Sequence, residues 1–150
     1  MATNLDAILA AVAAMPVSDG TITPPAYYGA TMRNAWEKAD LPARIISTIN
    51  FGVNEAKSQT LRPQFVITVT WQIQDICLLR PAGMGRGLPD ISLNLATYLS
   101  NYIDAVRTLG SQHYTRGNTR GTVEILEYPA ASGRFYDAVV ITTDFLDIIQ

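Results

Sequence analysis

One cysteine, one histidine and two lysines are all that this chain of 150 residues carries of those types. The single thiol, Cys77, excludes an intramolecular disulfide framework and any zinc site built on several cysteines, and it fits a reducing compartment. His113, the only imidazole, has no second histidine or cysteine with which to complete a metal site, and it stands in a polar stretch of surface character. Charge is scarce as well. Only 16% of the residues are charged, against roughly 25% in an ordinary soluble domain. The 11 basic and 13 acidic residues nearly cancel to a net charge of -2, which argues against a dedicated nucleic-acid binder, a polybasic membrane-surface protein or a solvated acidic tail.

A long hydrophobic run is also missing, although 48% of the residues are hydrophobic. The longest uncharged apolar run, Ala7 to Met15, is far short of the about 20 residues that a spanning helix needs, so no membrane association is expected. A signal peptide would place basic residues where this chain has Asn4 and Asp6; an amphipathic first helix accounts for the small residues near Ala13 and Ala14. The apolar surplus therefore belongs in a core or in contacts with other chains. At this length one domain, residues 1–150, is expected, and it can bury about two-thirds of the surface its unfolded chain exposes.

Periodicity supplies the elements. Leu5, Ile8, Leu9 and Val12 fall at helical spacing, predicting a helix from Asn4 to Met15, capped by Thr3 or Asn4 and stopped by Pro16. Val17 to Pro25 has loop chemistry, a second helical piece is expected over Ala30 to Ala39, and a short strand over Arg44 to Ile49. Asn50 to Gln64 lacks a sustained period and is read as an exposed connection or extended arm. Then Phe65, Ile67, Val69, Trp71, Ile73, Cys77 and Leu79 alternate with polar residues along one long strand, whose apolar face only Asp75 interrupts. A Gly-rich turn leads to a long helix, capped by Asp90, carrying Ile91, Leu95, Tyr98, Leu99, Tyr102, Val106 and Leu109 on one face and ending at Gly110. After a polar loop holding His113, Arg116, Gly117, Asn118 and Arg120, the chain predicts a hairpin: strand Thr122 to Tyr128, turn, strand Phe135 to Ile149. The expected fold is α+β, a mainly antiparallel sheet with long strands, one long helix and an N-terminal helix packed on one face.

Few residues offer chemistry. The Gly83 to Gly87 loop sits between a strand and a helix but lacks the third glycine of a dinucleotide fingerprint and the lysine of a phosphate loop, so it reads as a connection. Cys77 shares its strand face with Trp71 and Ile73, as a core thiol does. Asp75 and Asp137 each sit on an apolar strand face, where a buried carboxylate pair could do acid or base work; the blander expectation is that one meets an arginine at a subunit contact or at the sheet end. Glu124 and Glu127 point to opposite faces and form no dyad. Nine of the eleven basic residues are arginine, several expected in loops: Arg62, Arg80, Arg86, Arg116, Arg120 and Arg134. Arginine serves plain solubility, but it is also favoured at protein interfaces, where its planar fork pairs with carboxylates. Finally, Phe65 to Leu79 would extend about 50 Å, whereas a compact chain of this size spans only about 40 Å. Such a strand must bend or project, and projecting edges commonly pair with another chain.

This layout resembles the tail terminator, or tail-completion, proteins of long-tailed bacteriophages. The resemblance rests on the N-terminal helix, the short strand and loop, the long strand Phe65-Val-Ile-Thr-Val-Thr-Trp-Gln-Ile-Gln-Asp, the helix Ile91 to Leu109 and the closing hairpin ending Ala138-Val-Val-Ile-Thr-Thr-Asp-Phe-Leu-Asp-Ile-Ile149. It implies a structural virion protein at the head–tail junction, assembled in the host cytoplasm: a homo-oligomeric, hexameric ring that caps the tail tube protein and meets the head connector or stopper protein. It implies no catalysis, cofactor or metal, and passage of genomic DNA through the lumen without sequence-specific binding. Arg62, Arg80, Arg86, Arg116 and Arg120 are then candidate interface or lumen residues, and Asn50 to Arg62 a candidate arm toward the adjacent subunit or tube. Two other readings stay open: another neck component, such as a head completion or stopper protein, and a small α+β enzyme or ligand-binding domain using the Gly83 to Gly87 loop and Asp75.

Overall fold

Strands dominate the chain because β-branched and aromatic residues recur at alternate positions along Phe65–Pro81 and Phe135–Ile149, and these two stretches supply pairing edges for two less regular ones. The computed structural model describes residues 2–29, 41–57, 65–82 and 88–149. In chain order the elements are α1 (Leu5–Ala13), β1 (Ala26–Tyr27), β2 (Ala43–Lys57), β3 (Phe65–Pro81), α2 (Leu88–Val106), β4 (Tyr114–Glu127) and β5 (Phe135–Ile149). The fold is α+β, with two helices and one five-stranded sheet of order β1-β2-β3-β5-β4.

Several expectations are corrected here. The sheet is mixed rather than purely antiparallel, because Ala26–Tyr27, just past the loop expected over Val17 to Pro25, pairs parallel with Arg44 and Ile45. The helix expected to be long is short beside its sheet: α2 spans about 28 Å at 1.5 Å per residue, whereas the 17 residues of β3 span about 56 Å at 3.3 Å each. It stops at Val106, before Leu109. The strand expected over Arg44 to Ile49 instead runs 15 residues, to Lys57. Asn50 to Lys57, read as a connection or arm, is the outer half of that strand, and a bulge between Thr48 and Asn50 shifts its register so that Phe51, Val53 and Glu55 face the same way as Trp71, Val69 and Ile67. Residues 58–64 of that stretch lie outside the described residues, as do the helix expected over Ala30 to Ala39 and the Gly83 to Gly87 loop. The loop expected at Arg116 to Arg120 belongs to β4, which starts at Tyr114 and absorbs Gly117 and Asn118 in a bulge against β5.

One sheet face carries the main core. Ile46, Val69, Trp71, Ile73, Cys77, Val139, Ile141 and Phe145 meet Ile8 and Val12 of α1 and Tyr98, Tyr102 and Val106 of α2. A smaller cluster of Ala43, Ile45, Ile76, Leu78, Tyr136 and Ala138 lies on the opposite face. The β4–β5 turn closes with the Tyr128 N–H donating to Arg134 O at 2.9 Å, and it bends through two left-handed residues, Ala131 at φ 61° and Gly133 at φ 74°.

Candidate functional site

The residues that interrupt the apolar faces turn out to be tethers. Arg44 and Asp75 are buried between the sheet and the helices. The Arg44 Nε donates to both Asp75 oxygens, at 3.3 and 3.1 Å, its Nη2 donates to Oδ2, and the Tyr102 hydroxyl donates to Oδ2 at 2.9 Å. The same guanidinium donates to Met15 O at 3.3 Å and Val12 O at 3.0 Å, so it also caps the C-terminal end of α1. Burial by itself would lower the Arg44 pKa, but the adjacent Asp75 carboxylate outweighs it and the group is held even more firmly protonated. Burial pushes the Cys77 thiol up to about 12 and the Tyr98 and Tyr102 phenols well above their ordinary value, with the Asp75 carboxylate adding to each effect and the Arg44 guanidinium opposing it. With its carboxylate engaged by fixed donors, Asp75 serves as a structural counter-ion rather than a free base.

Asp147 holds the other end of α1. It accepts from the Asn4 backbone N–H at 2.8 Å and the Asn4 Nδ2 at 2.7 Å, and from the Trp71 indole at 3.2 Å. Asn4 therefore spends its side chain on the sheet instead of capping its own helix. An acid at the N-terminal end and a guanidinium at the C-terminal end both complement the helix dipole. A third carboxylate, Asp137, is fully buried and accepts from Arg80 Nε at 2.8 Å, while its Oδ1 has no hydrogen-bond partner among the described residues.

These contacts decide where the expected site residues lie. Of Asp75 and Asp137, one of which was expected to meet an arginine at a subunit contact or sheet end, Asp75 meets Arg44 inside its own chain and Asp137 meets Arg80 close to where β3 ends. Arg80 lies in β3, and Arg116 and Arg120 lie in β4, not in loops, because β5 supplies backbone partners for both strands. Arg120 pairs with Asp144 at 3.2 Å on the surface. The Arg116 Nη1 donates to Gly117 O at 3.3 Å, but its buried Nε has no partner among the described residues. Arg62 and Arg86 lie outside the described residues.

What the sequence reading missed is apolar and exposed. At the outer end of β2, Phe51 is 63% and Val53 60% exposed, with Phe51 tilted against Trp71 at 5.7 Å between ring centroids. At the opposite edge of the sheet, Leu99, Ile103, Val123, Val139 and Ile141 line an apolar groove of about 260 Å³ between α2 and β4, with Gly121 among its lining. Gly121 is required there, since a Cβ would stand 2.8 Å from Val140 O. Phe51, Val53 and Glu55 alternate with Gly52 and Asn54, so a strand signal existed; the two turn-forming residues masked it. No protein-family model matches this chain, and no curated protein resembles it at a significant level.

Proposed function

We propose that the chain is a structural subunit of a long-tailed phage neck, forming a hexameric ring that ends the tail tube and joins it to the head connector. The observation that carries this reading is the pair of unlike sheet edges, each with exposed apolar side chains: Phe51 and Val53 at β2, Val123 and Ile125 at β4. Unlike edges suit a head-to-tail contact, and head-to-tail contacts form rings when the rotation from copy to copy closes. Exposed apolar residues clustered where strands lack partners mark interaction surfaces.

A second feature supports the lumen. The sheet face opposite the helices presents Thr68, Thr70, Gln72, Gln74 and Thr142 along its outer part, with Leu146 and Ile148 among them, and Arg120 beside them is paired with Asp144. A surface of hydroxyls, amides and aliphatic side chains without a free cation among the described residues lets phosphate pass without the tight, salt-dependent hold of a basic patch. On this reading the chain has no catalytic role. An open five-stranded sheet favours a terminator over a stopper built on a small barrel or helical bundle. Electron imaging of the protein mixed with tail tubes from its own particle tests the proposal: sixfold rings at one end of each tube are expected, and tubes left bare at both ends contradict it.

A further inference from the structure

We propose that residues Phe51 to Glu55 of β2 in one copy dock antiparallel against the outer edge of β4 in a second copy, seating Phe51 over Gly121 and bringing Glu55 to Arg116. This deepens the ring reading and rests on it for the choice of a second copy as the occupant.

Strand direction comes first. Successive antiparallel pairings β2-β3, β3-β5 and β5-β4 leave β2 and β4 running in opposite directions at opposite sides of the sheet. A rotation about an axis along the strands therefore sets β2 of one copy beside β4 of the next in antiparallel order, and the sheet continues from copy to copy. Both edges are clear over the required length among the described residues. β1 covers β2 only at Arg44 and Ile45, and the Gly110–Thr115 bridge ends before Arg116. The Phe51 N–H donates to Asn50 Oδ1 at 2.8 Å, a side-chain substitute for a missing strand.

Register follows from size and charge. Along β2 the residues sharing one face are Phe51, Val53 and Glu55; along β4 they are Gly121, Thr119 and, across the bulge, Arg116. Placing Phe51 opposite Gly121 puts an aromatic ring over a residue without a side chain, beside the groove lined by Leu99, Ile103 and Val123. Val53 then meets Thr119, and Glu55 meets Arg116. The charges complement each other. Glu55 is exposed with no hydrogen-bond or ion-pair partner among the described residues, and Arg116, half-buried, bonds Gly117 O and has no carboxylate partner among them.

Cross-linking tests the pairing. Opposed residues of an antiparallel pair have Cβ atoms about 4.5–5.5 Å apart, within reach of a disulfide after a small adjustment, and buried Cys77 does not compete. Oxidising a concentrated mixture of the full-length single variants Glu55→Cys and Arg116→Cys is expected to give covalent dimers, the double variant a ladder of larger species, and each single variant alone monomers. Charge reversal supplies a second readout: Glu55→Arg alone weakens self-association roughly tenfold or more, and adding Arg116→Glu restores it. A chain that remains monomeric when concentrated overturns the contact, as do dimers from Glu55→Cys alone or reversals without effect. Rings at tube ends that form without the cross-link would remove this contact but keep the ring. Cross-linked ladders that ignore tail tubes would keep the contact and remove the tail function.

Discussion

The inner half of the sheet and the outer half of its edge strand β2 obey the same alternation but meet different fates. In the inner half, Ile73, Cys77, Val139 and Ile141 are buried under two helices, and the polar intruders Arg44 and Asp75 are tied to α1 and α2. In the outer half, Phe51 and Val53 occupy the same sheet face with little over them. The difference is one of place in the sheet: Trp71, Val69 and Phe145 of the central strands, level with Phe51 and Val53, are buried in the core, whereas the outer half of β2 lies at the sheet edge beyond that cover. Alternation tells where side chains point; it does not tell what lies above them. Burial in the inner half serves folding; on the proposed reading, exposure in the outer half serves assembly.

Substitutions should separate the halves sharply. The largest effect is expected from Arg44→Ala, which leaves Asp75 buried without its cation and frees the carbonyls of Val12 and Met15. Loss of one partner of a buried pair costs about 3–5 kcal/mol, a large share of the stability of a domain this size. Denaturant unfolding followed by circular dichroism measures it, and a loss below about 1 kcal/mol would put this pair among ordinary surface ion pairs.

Alkaline pH is expected to act next, again through the inner half. Tyr98, Tyr102 and Cys77 are held neutral by burial, with folded values above those of the unfolded chain. Their contribution is complete below the unfolded values, about 8.5 for thiol and 10 for phenol. It is lost as pH rises through that range toward the folded values, because the unfolded chain releases protons that the fold retains. The unfolding midpoint should therefore fall steadily above about pH 9, and Tyr102→Phe should flatten that fall while lowering stability at neutral pH through the lost bond to Asp75.

The smallest effect on stability belongs to the outer half. Phe51→Ser should change unfolding free energy by no more than about 0.5 kcal/mol, as an exposed substitution does, yet abolish self-association measured by sedimentation. If it unfolds the monomer instead, Phe51 is core and the two halves are not distinct.

How much of this was legible in the sequence follows from the same division. The alternation of Phe65 to Leu79 and the helical spacing of Tyr98, Tyr102 and Val106 were plain, because long periodic runs of one type leave little ambiguity. Asp75 and Asp137 stood out as intruders, but their partners did not: Arg44 lies 31 residues from Asp75, and Asp147 lies 143 from Asn4, so only the folded sheet joins them. The outer half of β2 was hidden because Gly52 and Asn54 carry turn chemistry while cross-strand pairing with β3 decides the outcome. Arg116 and Arg120 were placed in a loop for the same reason: Gly117 and Asn118 mark a bulge rather than a break.

Hydrogen exchange across a concentration series tests the division into a folding half and an assembly half most directly. As the mass rises from monomer toward a ring, amides between Phe51 and Glu55 and between Arg116 and Val123 should gain protection together, while those of Ile73 to Cys77 stay protected throughout. A rise in mass without added protection at those two edges, or with protection confined to other surfaces, would contradict the account.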